Sequence, residues 1–306
     1  MNPSAPAGKR GMYEYDEYHH GRMRLAHSRR RVLHWSRMKR TQPFRVVFED
    51  GDIVVVDKMA GLAVLADRWD DSKERLDELL DAMYAGDVAE GRSARIPFPH
   101  RVFVVHRIDR DTSGLVVFAK TSEAHRALSA SFETRKVEKT YICVVHGRPS
   151  WTETNCGLPL RMDGDREHRT IIDKAMGKRS STDFRVLGVA GNLALLEASP
   201  ETGRTHQIRA HLAALGHSIV CDPLYGDGKP LLLSSFKRGW RGDPFEERPL
   251  LSRLGLHAAR LAFPSPSAEG GDTLRFSAPL ARDLASLVKQ MEKAAGEDFG
   301  LGDLLG

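Results

Sequence analysis

The chain of 306 residues contains no apolar run approaching the length needed to cross a bilayer, so no membrane partner is expected. Cysteine is scarce. Cys143, Cys156 and Cys221 are too few and too far apart for a disulfide framework or a paired zinc site, which agrees with a reducing compartment. Met1-Asn2-Pro3-Ser4 opens no charged-then-apolar signal, and a cytoplasmic location is expected. No internal repeat of fixed period is present. Gly203 and Gly226 lie in neither a Walker nor a dinucleotide pattern, which excludes a phosphate-loop role for both.

The 41% hydrophobic content is enough for one large or two small domains with a real core. Net charge is +5, a moderate excess that points toward a polyanionic partner. Much of that excess sits in an N-terminal arm, residues 1–43, where Arg22, Arg24, Arg29, Arg30, Arg31, Arg37, Lys39 and Arg40 are interleaved with Tyr13, Tyr15, Tyr18, Trp35 and histidines. Such an arm reads either as a solvated tail or as a segment that binds phosphate and stacks on bases, and it can order only when nucleic acid is present.

After Pro43, Phe44 to Phe48 and Ile53 to Val56 read as two strands joined by Glu49-Asp50-Gly51-Asp52. Leu76, Leu79, Leu80 and Met83 have helical spacing within Ser72 to Tyr84, whereas Gly86 to Pro99 reads as a loop. A helix is expected over Ser122 to Arg135 and a strand over Lys139 to His146. Gly157 to Ser181 is polar and unperiodic and reads as a mobile loop excursion. Phe184 to Leu187 and Leu193 to Ala198 suggest a hairpin. The helix after it has Thr205 as N-cap, Ile208, Leu212 and Leu215 as its buried stripe and Gly216 as its stop. Gly239 to Pro249 is loop-like, and Leu280 to Lys293 is a closing helix. The sum is an α+β fold around a largely antiparallel sheet, with a folded domain over 44–295 and a C-terminal tail over 296–306.

The densest polar motif is His106-Arg107-Ile108-Asp109-Arg110-Asp111-Thr112-Ser113-Gly114, flanked by the β-branched runs Val102 to Val105 and Leu115 to Phe118. Two buried strands with a polar turn between them display the turn at a sheet end, where catalytic groups are commonly placed. Thr112-Ser113-Gly114 supplies hydroxyls and a residue tolerant of positive φ, leaving Asp109 held ahead of the reversal. A second constellation, Glu201-Thr202-Gly203-Arg204-Thr205-His206-Gln207-Ile208-Arg209-Ala210-His211, crosses from a strand end into a helix.

Together with Lys139-Thr140-Tyr141-Ile142-Cys143, Asp57-Lys58-Met59-Ala60-Gly61-Leu62, Gly177-Lys178 with Thr182, and Gly216-His217 through Asp222-Pro223-Leu224-Tyr225-Gly226, these segments resemble the RluA family of RNA pseudouridine synthases, from about Phe44 to the last helix. Met59 stands where a proline is usual, and no S4-type pattern precedes the core. The resemblance implies the pseudouridine synthase fold, a mostly antiparallel mixed sheet with a cleft across it. It also implies an enzyme that detaches uracil from ribose C1′, turns it and rejoins it through C5, with no metal and no cofactor. By matching position, Asp109 is the catalytic carboxylate and Arg209 the cation that pairs with it, since an opposite charge favours the ionised form. Tyr141 is the aromatic that stacks on the base and is suited to proton transfer at C5. Arg107 enters the RNA stack in place of the extruded uridine. Ile208 packs beneath the base, although a core-facing role fits its helical stripe equally. His106, Thr112, His206 and Arg204 complete the expected substrate contacts, with His106 orienting the Asp109 loop. The partner is then ribosomal or transfer RNA, and nothing demands more than a monomer.

Two other classes remain open from the residues alone. A non-catalytic RNA-binding protein could use the same cleft and the basic arm. A metal-dependent hydrolase could draw on His100, His106, His206, His211 and His217 with Asp222. However, His206 and His211 are five apart on one helix and point in different directions, unlike the four-residue step of zinc helices.

Overall fold

Strands whose residues are buried on both faces carry the middle of one sheet, and the polar segments collect at their ends. The computed structural model describes residues 43–66, 74–89, 102–267 and 271–305. The N-terminal arm before Pro43, residues 90–99 of the expected loop and His100 lie outside the described residues.

Among the described residues, β1 (Phe44–Glu49) and β2 (Ile53–Lys58) form an antiparallel hairpin whose turn is fixed by Asp50, which accepts from the backbone N–H groups of Asp52 and Ile53. Helix α1 (Leu76–Ala89) follows, then β3 (Phe103–Val104), β4 (Ser113–Ala119), α2 (Ser122–Glu133) and β5 (Glu138–His146). Next come β6 (Glu153–Cys156), β7 (Leu160–Arg161), β8 (Ile171–Ile172), β9 (Thr182–Ala190) and β10 (Leu193–Pro200). Helix α3 (Gln207–Ala214), β11 (Leu256–Pro264), β12 (Thr273–Ser277) and α4 (Arg282–Ala295) complete the order. The main sheet runs β1-β2-β4-β11-β5-β10-β9-β6, with β12 on β11 and β3 on β4. Every pairing in it is antiparallel except β4 with β11.

Alternation along β5 assigns its two faces. Ile142 and Val144 join the core formed with Leu284, Leu287, Val288 and Met291 of α4, whereas Cys143 and Val145 join the core that holds Ile208 and Leu212 of α3. Tyr141 packs on this second side, between that core and the one containing Ile108. All seven residues of β4 are buried, as expected for a strand covered on both faces.

The parallel contact requires Gly114. It pairs with Ala258 at φ +111°, and a Cβ placed there would lie 2.2 Å from the Ala258 carbonyl oxygen. Close approach to β11 therefore adds to the turn-forming reason read from the sequence. Gly114→Ala is expected to destabilise the protein by at least about 2 kcal/mol, combining overpacking with a disfavoured backbone. A urea titration checks this; an unchanged midpoint would mean that β4 and β11 separate at no cost.

Several expectations need correction. Helix α1 begins at Leu76 rather than near Ser72 and continues through Gly86 to Ala89, with Leu76, Leu80 and Tyr84 buried at helical spacing. The excursion 157–181 is not structureless: β7 and β8 pair within it, and Asp173 closes a turn by accepting from Ala175 and Met176. Thr205 is not the N-cap of α3. That position is His206, in the left-handed region at φ 52°, with no side-chain capping bond. Gly216 does end the helix, at φ +83°. The expected C-terminal tail folds back, burying Phe299, Leu301 and Leu304 in the α4 core.

Candidate active site

Asp109 sits at the first position of a turn closed by the Thr112 N–H on the Asp109 carbonyl, at 3.1 Å. This turn is gripped from below by Lys58. Lys58 is 1% exposed, and its ammonium donates to the carbonyls of Met59 (2.9 Å), Leu62 (2.8 Å) and Arg110 (2.9 Å), while the Gly61 N–H also donates to Arg110. Burial pushes the Lys58 pKa down, and the nearby Asp111 and Asp109 carboxylates oppose that shift. The Asp57 to Leu62 segment thereby fixes the backbone beside Asp109, and the exposed Met59 does not disturb it.

His106 holds the other side of the loop. Its Nε2 accepts from the Val117 N–H at 3.0 Å and its ring stacks on Phe132 at 4.7 Å. On the edge of β4 away from β2, the described residues pair with it at Ser113 and Gly114 (β11) and at Phe118 and Ala119 (β3), so the Val117 N–H on that edge takes the imidazole as its acceptor. Burial lowers the His106 pKa, and the bond from Val117 requires an unprotonated Nε2, so the ring is neutral. That nitrogen is committed to holding the loop and cannot also contact substrate.

From α3, Arg209 reaches the Asp109 carboxylate, with Nη1 to Oδ2 at 3.2 Å. Its other two donating nitrogens are taken by Asp222: Nε to Oδ2 at 2.7 Å and Nη2 to Oδ1 at 2.8 Å. Asp222 has a side chain that is 0% exposed, and it also accepts from the N–H groups of Leu224 and Tyr225. Burial works against both charges, but the mutual hydrogen bonds outweigh it, holding the Asp222 carboxyl below the usual range and the Arg209 guanidinium above its own. A fork gripped at two of its tines leaves the third, Nη1, aimed at Asp109. The Tyr225 ring lies 5.1 Å from the guanidinium carbon, adding a cation–π contact.

Tyr225 ties this centre to the β7–β8 excursion. Its hydroxyl accepts from the Thr170 N–H at 2.9 Å, lies 3.1 Å from the Thr170 carbonyl and meets His206 Nδ1 at 3.1 Å. Burial pushes the phenol pKa up to about 12. His211 points elsewhere, buried between Ser180, Thr182 and the Leu158 carbonyl. Gln207 completes the anchoring of α3, accepting from Thr202 and from the Arg204 N–H and donating to Ser181.

These groups surround a cavity of about 540 Å³. Asp109, Arg209, Tyr141, Ile208 and Arg107 all line it, as do His106, Thr112, His206 and Arg204. The carboxylate is partly open to it, with a side chain 20% exposed. The Tyr141 phenol pKa is raised, first by burial and then by the Asp109 charge, so it retains its proton. Arg107 is exposed and makes no side-chain hydrogen bond or ion pair among the described residues. Arg204 donates to the Arg179 carbonyl, and the buried Thr112 hydroxyl has no hydrogen-bond partner among the described residues. The geometry offers a carboxylate held by a guanidinium, an aromatic hydroxyl and an apolar floor in one recess, wide enough for a planar base.

The segments Asp57 to Leu62 and Asp222 to Gly226 carry no local sign of the roles that Lys58, Asp222 and Tyr225 have at this centre, and Asp222 does not serve the metal-ligand reading. Among the described residues no three His, Cys, Asp or Glu side chains are placed to hold a metal ion, and Asp222 is occupied by Arg209.

A family model described as RNA pseudouridylate synthase matches residues 52–214, which include the Asp109 turn, β5 and α3. The ribosomal large subunit pseudouridine synthase D of Zymomonas mobilis is 35% identical over 255 residues, covering 81% of this chain and 73% of that protein. The ribosomal large subunit pseudouridine synthase C of Vibrio cholerae is 33% identical over 250 residues, covering 81% and 70%. Among solved structures, human RNA pseudouridylate synthase domain containing 4 superposes with a TM-score of 0.59 at 21% identity, over 81% of this chain and 92% of that one, a likeness of fold. The match of residues 52–214 to that family model, and the identity shared with these relatives over most of the chain, place the chain in the RluA family of RNA pseudouridine synthases.

Proposed function

We propose that the protein converts uridine to pseudouridine in large-subunit ribosomal RNA and that Asp109 is the residue on which the reaction depends. The observation that carries this reading is the Asp109 carboxylate held 3.2 Å from Arg209 Nη1 at the wall of the cavity. The choice of RNA follows the substrates named for its relatives from Zymomonas mobilis and Vibrio cholerae.

A carboxylate in this position can attack the sugar or the base, or take a ribose proton. Each route breaks the C1′–N1 bond, turns the uracil and forms a C1′–C5 bond, with the C5 proton lost and N1 gaining one. Arg209 orients the carboxylate and balances its charge. Tyr141 stacks on the base against Ile208. Because its phenol keeps its proton, transfer at C5 through Tyr141 must move that proton on as the C5 proton arrives. Arg107, unpaired at the mouth, suits the role of filling the gap left by the flipped uridine, an extrusion that costs a few kcal/mol. The catalytic unit runs from Phe44 through α4 and the packed residues to Leu305. The basic arm before it supplies further phosphate contacts, and the enzyme works as a cytoplasmic monomer.

Purified protein incubated with unmodified, transcribed large-subunit ribosomal RNA is expected to form pseudouridine at discrete positions. Modification of transfer RNA instead would overturn the substrate assignment, and no pseudouridine in either RNA would overturn the function. Tyr141→Phe keeps the ring and removes the hydroxyl. It should lower the maximal rate by about 10²-fold or more while leaving half-saturating RNA within about threefold. A single-turnover assay distinguishes this from a stacking role alone, in which the phenylalanine variant would keep the wild-type rate.

A further inference from the structure

Lys139 is a half-buried cation of the cavity that no part of the proposed chemistry uses. Lys139 lies two residues before Tyr141 on β5, so both side chains leave the strand on the same side, and both line the cavity. The Lys139 ammonium donates to the Thr202 carbonyl at 3.2 Å, and among the described residues no carboxylate lies within ion-pair distance of it. One carbonyl satisfies one of its three donors. A half-buried ammonium without a counter-ion is costly to fold, and it is retained most economically where a ligand brings the missing negative charge.

Its surroundings favour an anion over a neutral group. From the 105–112 loop, the charged residues lining the cavity are Arg107 and Asp109, with His106 neutral. Glu133 and Arg135 come from the end of α2, and Glu201, Arg204 and His206 from the segment leading into α3. Asp109 is engaged by Arg209, which is itself held by Asp222. The only polyanion that enters this recess with the base is the RNA backbone, whose phosphodiester is a single negative charge with two open acceptor oxygens.

We propose, resting on the function given above, that Lys139 is a phosphate-binding residue of the cavity, taking a backbone phosphate beside the nucleotide whose base stacks on Tyr141. Lys139 thereby adds one phosphate contact to the affinity for the flipped nucleotide, while Asp109 acts on the base and sugar. Burial pushes the Lys139 pKa down to about 8, so in the free enzyme the cation is present below that pH and is lost above it. Affinity for RNA should then weaken as the pH rises past about 8, and an arginine in the same place should remove that dependence, because guanidinium does not titrate there. Lys58 also titrates in this region but is buried under the Asp109 turn and is present in every variant compared.

The test compares wild type, Lys139→Met and Lys139→Arg on unmodified, transcribed large-subunit ribosomal RNA, by filter binding across a salt series and by single-turnover rate against RNA concentration. The methionine variant is expected to need about tenfold more RNA for half-saturation, to lose about one from the slope of log affinity against log salt, and to keep its maximal rate within about threefold. The arginine variant should restore affinity and slope, and should bind equally at about pH 7 and about pH 8.5 where wild type weakens. An unchanged half-saturation and salt slope in the methionine variant would overturn the proposal, as would a fall in maximal rate alone, which would assign Lys139 to positioning Thr202. If the methionine variant does not fold, the pH comparison of wild type with Lys139→Arg decides, and parallel pH curves would overturn it. Filter binding does not depend on turnover, so absence of pseudouridine from the wild-type reaction would reject the proposed function without deciding the role of Lys139.

Discussion

Asp109→Asn is expected to reduce pseudouridine formation by about 10³-fold or more while leaving RNA affinity within about threefold. The substitution keeps shape and removes only the charge and nucleophilicity of one oxygen. Its side chain is partly open to the cavity, and Arg209 keeps both bonds to Asp222, so no charge is stranded in the core. A stability loss above about 1 kcal/mol is therefore not expected. RNA affinity is carried by cations, and removing one carboxylate from a site that receives a polyanion does not weaken it. Filter binding and a single-turnover assay on the same preparation give both results. An asparagine variant that turns over at the wild-type rate would remove Asp109 from the chemistry.

Asp222→Ala should act differently, by lowering stability as well as rate. The carboxylate is fully buried and accepts from Arg209 Nε and Nη2 and from two backbone N–H groups, so its removal leaves two guanidinium nitrogens and two peptide donors without partners. Loss of one member of a buried pair costs about 3–5 kcal/mol. Replacing both members, as Asp222→Ala with Arg209→Met, should recover part of that loss because the one charge left unpaired, Asp109, is partly open to the cavity, yet it should not recover activity. The pH dependence has a definite sign. Asp222 has its pKa lowered in the folded protein, so its stabilisation is complete above the ordinary carboxylate value and is lost as the pH falls from that value through the lower folded one. The gap between wild type and Asp222→Ala in urea titrations should thus be largest near neutrality and shrink in acid. A gap that does not change with pH would mean that the Asp222 charge does not support Arg209.

The contrast between these two aspartates marks what sequence reasoning reached. Asp109 was legible because its neighbours are local: β-branched runs on either side, and a Thr-Ser-Gly reversal just after it. The strands carrying Val54, Val116, Val144 and Leu195 were legible for the same reason, since buried β-branched and aliphatic runs dictate them without reference to distant chain. Asp222 lies thirteen residues from Arg209 and more than a hundred from Asp109, and its role appears only when α3 and the turn that follows it bring it to the same guanidinium. Lys58 is a comparable case, spanning fifty-two residues to the Arg110 carbonyl. A lysine after a valine-rich strand reads as a solvated end, and only the folded turn reveals three carbonyls around it.

Local signals also misled where tertiary structure overrode them. Thr205 has the chemistry of an N-cap, but its hydroxyl is 3.0 Å from the Met162 sulfur and the chain enters α3 through a left-handed His206. That conformation is disfavoured for a residue with a Cβ, and it sets the imidazole against Tyr225. The 157–181 excursion lacks periodicity because β7 and β8 are two residues each, too short to show one. Its order comes instead from pairings such as Arg169 with Asp165 and with the Leu224 carbonyl. Through Leu224 and Tyr225 that excursion is joined to the carboxylate that holds Arg209.

The most direct measurement is a map of pseudouridines in total RNA from cells lacking this protein, complemented either with the wild-type chain or with Asp109→Asn. At least one uridine of large-subunit ribosomal RNA should lose its modification in the deletion and regain it only with the wild-type chain. An identical map in all three strains, or restoration by the asparagine variant, would contradict the assignment of this cavity and its carboxylate to pseudouridine formation.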